Sequence, residues 1–191
     1  DIDLEADRPV EDHCVGCRRC IDACPTGALR EPYLLDANLC LSYWTIEHRG
    51  AVAPGVRTHL KTELFGCDIC QEVCPWNRHG ALPPGDLVLA CFDKFERLDF
   101  EHLIEMGEEE YRIWFKGSPL KRARREGLRR NAILLSANLG RGDLLPKIRR
   151  CLDDPDEGVR DAAAWALDIL IAFPSPSPLP PPGGEETCLP G

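Results

Sequence analysis

Apolar and polar positions alternate with a helical period in four stretches of the second half of the chain. These are LDFEHLIEM (98–106), SPLKRARREGLRRNAILLSANL (118–139), LLPKIRRCL (144–152) and GVRDAAAWALDILIAF (158–173), each with apolar residues at i, i+3 and i+4. Ser118-Pro119 places an N-cap before a proline at the first helical position, and Gly140 supplies a stop. The strings 128–139 (LRRNAILLSANL) and 159–170 (VRDAAAWALDIL) resemble each other: each opens with an apolar-Arg pair and runs into an Ala- and Leu-rich helix. Stacked HEAT-like repeats look like this, since small residues let helices approach closely, and a simple helical hairpin is the alternative. The pattern divides the chain into a polar lead-in (1–13), a cysteine-rich segment of short loops and helical turns (14–77), a helical segment (78–172) and a Pro-, Ser- and Gly-rich tail (173–191) expected to be disordered. The fold class is α+β to mostly α.

Composition sharpens this picture. With 43% hydrophobic and 29% charged residues in 191, most of the chain is expected to fold. No apolar run approaches the roughly 18–20 residues of a membrane span, and residues 1–13 have no apolar core of a secretory signal. Eleven cysteines are many. Crowded into short runs without a secretory signal, they point to metal ligation and away from a disulfide framework.

The first run is Cys14-x2-Cys17-x2-Cys20-x3-Cys24-Pro25, the spacing of two-cluster bacterial ferredoxins. There three thiolates hold one 4Fe-4S cluster and the fourth reaches the other. The second run, Cys67-x2-Cys70-x3-Cys74-Pro75, matches the last three members of the same pattern. Pseudo-twofold logic assigns Cys14, Cys17, Cys20 and Cys74 to one cluster, and Cys24, Cys67 and Cys70 to the other. Cys40, the remaining cysteine inside the segment, becomes the eighth ligand. Zinc is the competing metal, since thiolates also build four-coordinate zinc sites, but two interlocked C-x3-C-P endings favour clusters. Cys91, Cys151 and Cys188 fit no pattern and read as ordinary cysteines.

The net charge of −9 argues against a polyanionic partner until it is resolved along the chain. Residues 93–110 are strongly acidic, whereas residues 116–130 hold seven bases against Glu126 alone. The local field over such a stripe decides where a polyanion docks.

Beyond cysteine spacing, CPTGAL (24–29), CLSYWTIEHRG (40–50) and FGCDICQEVCPWN (65–77) closely resemble the epoxyqueuosine reductase family of tRNA queuosine synthesis, and the likeness runs from residue 14 to about residue 170. That resemblance implies a cytoplasmic, monomeric, cobalamin-dependent oxidoreductase acting on tRNA that carries epoxyqueuosine at the wobble position, fed by an external electron donor. It also implies an N-terminal cobalamin-binding domain bearing the proton-donating aspartate. These 191 residues do not include that domain, so the chain is expected to be part of a longer enzyme, with no catalytic residue of its own and no activity alone. Ser42, Phe65, Gly66 and Asp68 match family segments near cobalamin, though Ser42 and Asp68 are equally suited to capping helices beside the cluster loops. Glu47 and His48 are candidates for chemistry or for a helix-surface pair. Trp44 and Trp76 would shield the clusters, and Asn77 would close a turn. Ser118, Lys121, Arg122, Arg124, Arg125, Arg129, Arg130 and Asn131 lie where the family contacts tRNA, and guanidinium groups suit phosphates and unpaired bases. Two other readings stay open: a stand-alone ferredoxin-type carrier fused to a helical interaction domain, and a helical scaffold with purely structural clusters.

Overall fold

The computed structural model describes Asp12, Cys14, residues 16–78 and residues 98–173. The rest of the lead-in, Cys91, the acids of 93–97 and the tail from 174 onward lie outside the described residues.

The cysteine-rich half is built from short pieces. Helix α1 (Arg19–Ala23) is followed by an antiparallel hairpin, β1 (Leu29–Glu31) and β2 (Leu34–Leu35), with Leu29 opposite Leu35. Its turn puts Tyr33 in the left-handed region at φ 64°. A 3-10 turn (Ala37–Leu39) is capped by Asp36, which accepts from the Asn38 amide at 3.1 Å. Residues 43–47 form a π-helical turn, a geometry that recurs at functional sites. Helices α2 (Pro54–Arg57), α3 (Ile69–Glu72) and α4 (Pro75–Arg78) have four residues each, and α1 packs on α3.

The helical half has the longer α-helices. It runs α5 (Phe100–Glu105), α6 (Glu108–Trp114), a 3-10 turn (Pro119–Ala123), α7 (Arg124–Asn138), α8 (Leu145–Arg150) and α9 (Glu157–Ala172). Asp99 and Asp156 cap α5 and α9 by accepting from the amides of His102 (2.7 Å) and Val159 (3.0 Å). Ser118 and Pro119 start the 3-10 turn in the predicted roles, and Gly140 at φ 66° ends α7. The sequence predicts one helix from Ser118 onward. The structure breaks it at Arg124, whose φ of 61° and ψ of 169° interrupt the spiral before α7 proper.

Helix α7 is the axis of the fold. Ten of its residues are buried, on all sides, because α5, α9 and the π-helical turn surround it. Helix α9 instead buries one face, chiefly Val159, Ala162, Ala163, Ala166 and Leu170, against α7. The same core takes in Leu41, Val52, Val56 and Leu60, so residues 41–60 are packed as part of the helical half.

Polar side chains lock this junction. Arg130 is 2% exposed and donates to the carbonyls of Trp44 (2.7 Å), His48 (3.1 Å) and Gly50 (2.8 Å). Asn131, fully buried, donates to the carbonyls of Thr45 and Leu64, both at 2.9 Å. Arg57 donates to the Val52 carbonyl at 2.8 Å, pairs with Asp161 at 2.6 Å and lies over the Trp165 ring. At Gly158 a Cβ would fall 2.5 Å from the Gly50 carbonyl oxygen, so only glycine allows the start of α9 to meet the 40–50 segment this closely.

Candidate metal centres

Each cysteine-bearing loop is shaped by a local feature of the sequence. Between Cys14 and Cys17 the chain turns through Gly16 (φ 72°), and the Cys17 amide donates to the Cys14 carbonyl at 2.9 Å. Cys20 lies on α1, whereas Cys24 is its extended C-cap, so the chain leaves the helix there and continues into Pro25. Cys70 lies on α3, and Cys74 directly precedes the proline that opens α4.

Folding gathers the eight cysteines into two quartets around separate cavities. Cys14, Cys17, Cys20 and Cys74 line one of about 40 Å³, together with Arg19, Pro75 and Trp76. Cys24, Cys40, Cys67 and Cys70 line another of about 210 Å³, walled by apolar Leu29, Leu35, Leu41 and Ile69 and by polar Ser42 and Asp68. Each run of the sequence therefore sends one thiol into the other run's cavity. No disulfide joins the described cysteines. Among the described residues no three His, Cys, Asp or Glu side chains converge closely enough to hold a single ion. Thiolates around one zinc would stand roughly 3.8 Å apart, given Zn–S bonds near 2.3 Å. Quartets that border cavities without meeting at a point suit a larger inorganic core.

Electrostatics separates the thiols of the larger cavity. Burial raises Cys67 and Cys70, and for Cys70 the neighbouring Cys40, Cys20 and Cys24 push the same way. Burial also opposes ionisation of Cys24, but the amides of Leu29, Thr26 and Ala28 outweigh it and hold this thiol below its ordinary value. The Ala28 amide stands 3.2 Å from the Cys24 sulfur. A cationic core would be loaded with release of protons from the raised thiols. Amides already aimed at sulfur are what tunes a cluster's potential.

The other predicted site residues spread around this centre. Ser42 donates to the Cys67 carbonyl at 3.3 Å, and the Asp68 carboxylate accepts from the Gln71 side-chain amide (Nε2) at 2.8 Å; neither side chain caps its helix. Both border the larger cavity, whereas Phe65 packs on the core and Gly66 (φ 81°) donates to the Thr45 hydroxyl at 2.9 Å. Glu47 pairs with Arg122 across the junction. The His48 ring sits 2.8 Å from the Ala51 carbonyl and 4.1 Å from the Trp44 ring, and burial lowers its pKa. Trp76 is half exposed beside the first quartet, while Trp44 donates to the Asn38 carbonyl at 2.7 Å. Asn77 closes the turn after Cys74 through its amide at 3.1 Å. Cys151 is buried in the helical core, and burial raises its thiol.

The basic stripe divides into an inner and an outer set. Arg130 and Asn131 face inward with their donors on carbonyls and tie α7 to the 44–50 segment and to Leu64. Arg129 is partly buried, pairs with Asp154 and donates to the Ile104 carbonyl at 2.6 Å. Arg125 lies against Glu108 (3.4 Å) and Glu126 (3.1 Å). Ser118 accepts from the Leu120 amide at 3.2 Å. Lys121, Arg122 and Arg124 remain exposed. The sequence alone gave no sign of Arg49, which donates to the Arg122 carbonyl at 2.7 Å and ties the 40–50 segment to this stripe.

Residues 13–77 match the family model described as a 4Fe-4S double cluster binding domain. Over 135 residues the chain is 42% identical to an epoxyqueuosine reductase of Synechocystis sp., covering 69% of this chain and 46% of that protein. A solved epoxyqueuosine reductase from Bacillus subtilis superposes with a TM-score of 0.79 at 32% identity, covering 87% of this chain and 45% of that one. An epoxyqueuosine reductase bound to an epoxyqueuosine-modified tRNA-Tyr stem loop superposes equally well, at 32% identity over 87% of this chain and 44% of that one. The chain thus spans about half the length of the relatives it matches.

Proposed function

Because this chain is homologous to epoxyqueuosine reductases over most of its length, we propose that it is the electron-transfer and tRNA-docking part of such an oxidoreductase, which reduces epoxyqueuosine to queuosine at the wobble position of tRNA. The observation that carries this reading is the exchange of cysteines between runs, which makes two cavities of four thiols on a chain whose helical half is homologous as well.

In this reading Cys14, Cys17, Cys20 and Cys74 hold one 4Fe-4S cluster and Cys24, Cys40, Cys67 and Cys70 the other. The clusters supply one-electron transfer. The chain holds them side by side, keeps water from the larger cavity with Leu29, Leu35, Leu41 and Ile69, and aims amides at sulfur. The first quartet is the entry point for an external donor, since Cys14 and Trp76 are exposed beside it. Cobalamin, held mainly by residues beyond this chain, would supply the carbon–oxygen bond chemistry. Ser42 and Asp68 are polar groups at the larger cavity that would face it, with Phe65 and Gly66 shaping the wall behind. No residue of this chain acts as the proton donor. The α7–α9 pair is the HEAT-like element, and its outward bases receive tRNA. The protein works as a monomer in the cytoplasm.

Anaerobic reconstitution tests the cluster reading: roughly eight irons and eight labile sulfides per chain are expected, as two cubes demand. The enzymatic reading is tested by combining the chain with a cobalamin-binding half of a relative, an electron donor and epoxyqueuosine-containing tRNA. Queuosine should form with both halves present and with neither alone. Iron-loaded chain that never supports turnover with any such partner would leave a plain electron carrier.

A further inference from the structure

Three arginines, Arg49, Arg124 and Arg130, are among the residues lining a cavity of about 110 Å³ between the 48–50 segment and the start of α7. Two of them are oriented by groups that leave their charge intact. Arg49 donates to the carbonyls of Ile46 (3.0 Å), His48 (3.3 Å) and Arg122 (2.7 Å). Arg130 donates to three carbonyls and to the amide oxygen of Asn131. Arg124 forms no ion pair among the described residues. Two acids share the cavity, but Glu126 is bonded to Arg125 at 3.1 Å and Asp156 is engaged in capping α9. His48, also in the wall, is held toward its neutral form by burial and by Arg130 and Arg49. Burial brings Arg130 down to about 10, which still leaves it charged at neutral pH.

We propose that this cavity seats one RNA backbone phosphate, gripped by Arg124 at the start of α7 and Arg49 of the 40–50 segment, so that RNA docks across the seam between them. The proposal rests on the tRNA-docking reading above and adds a site to it. The space holds a few waters or one phosphate group. Exposed Lys121 carries positive charge onward from Arg124 along the 3-10 turn, whereas Arg122 beside it is paired with Glu47, and a charge beyond the cavity suits a polyanion better than a small free anion.

Arg124 allows folding and binding to be separated. Its φ of 61° and ψ of 169° fall in a region populated almost entirely by glycine. Arg124→Gly therefore removes the guanidinium while relieving the backbone. The cluster-loaded chain is titrated with a fluorescent tRNA anticodon stem-loop over a range of salt. Arg124→Gly and Arg49→Gln should each weaken binding about tenfold, the scale of one charge-assisted contact. The slope of log affinity against log salt should shrink by about one. Arg124→Gly should melt at or above the parent temperature, and Arg150→Gln, a remote loss of the same charge, should change affinity less than about twofold. If the parent binds the stem-loop and both cavity variants behave like Arg150→Gln, the site is wrong and RNA docking survives. A parent chain with no salt-dependent RNA binding overturns both. Displacement of the stem-loop by sub-millimolar inorganic phosphate would make this a small-anion site and overturn the RNA assignment.

Discussion

The loops around the cysteines and the helices of residues 98–173 are stabilised by different means. In the first region α1, β1, β2 and α3 bury no residue, and no regular element exceeds five residues. In the second, α7 alone buries ten. Such short pieces cannot offset their own ordering entropy with apolar burial. Their order has to come from what the thiols bind. Helices α7 and α9 need no such support. Residues 41–60 lie between the cysteine runs in sequence but belong to the helical core, which makes them a rigid footing for the loops on either side.

The largest effect expected from this contrast follows metal removal. Under anaerobic chelation, hydrogen exchange should rise through residues 17–40 and 67–78 while α7 and α9 stay protected. Uniform loss of protection would show that the halves do not differ in this way.

Next comes the bolt between them. Arg130→Met removes the donors of three partly buried carbonyls from a buried guanidinium and should cost about 2–4 kcal/mol in denaturant unfolding, the scale for several lost charge-assisted hydrogen bonds. A cost below ~1 kcal/mol would mean that the junction is held by apolar packing alone.

Gly158→Ala is a smaller probe of the same seam. Its Cβ meets the Gly50 carbonyl, so a loss of about 1–3 kcal/mol is expected, the range for overpacking. An unchanged melting temperature would mean that the two backbones part easily.

The smallest effect is one of pH. His48 has its folded-state pKa lowered, so the unfolded chain binds the proton more readily. The stability this histidine contributes is complete above its unfolded pKa of about 6.5 and is lost as pH falls through the folded value. His48→Gln, which keeps a donor for the Ala51 carbonyl, should flatten that part of the stability profile. A parent profile already flat between pH 7 and 5 would remove His48 from the junction's energetics.

Legibility in the sequence followed the same division. Cysteine spacing anticipated which cavity seven of the eight thiols line, because C-x2-C and C-x3-C-P dictate which way consecutive thiols point, whereas Cys40 lies outside both runs and followed only by elimination. Ser118, Pro119 and Gly140 announced helix ends through local chemistry. The hairpin at residues 29–35 was not foreseen, since strands of three and two residues are too short to show alternation. The inward turn of Arg130 and Asn131 was also hidden. A charge pattern marks these side chains as polar, but their partners are carbonyls more than sixty residues away, two of them (Trp44 and Thr45) in a π-helical turn that no propensity indicates. Arg49 went unnoticed for the same reason.

The central claim is that the two cysteine runs exchange ligands, and paired substitutions test it most directly through the iron bound per chain after reconstitution. If Cys24 serves the cluster of Cys67 and Cys70, Cys24→Ser with Cys70→Ser should keep about four irons, and Cys24→Ser with Cys17→Ser should keep almost none. The reverse result, about four irons with Cys17 and Cys24 both replaced and none with Cys24 and Cys70 replaced, would show that each run fills its own cluster and would contradict the account.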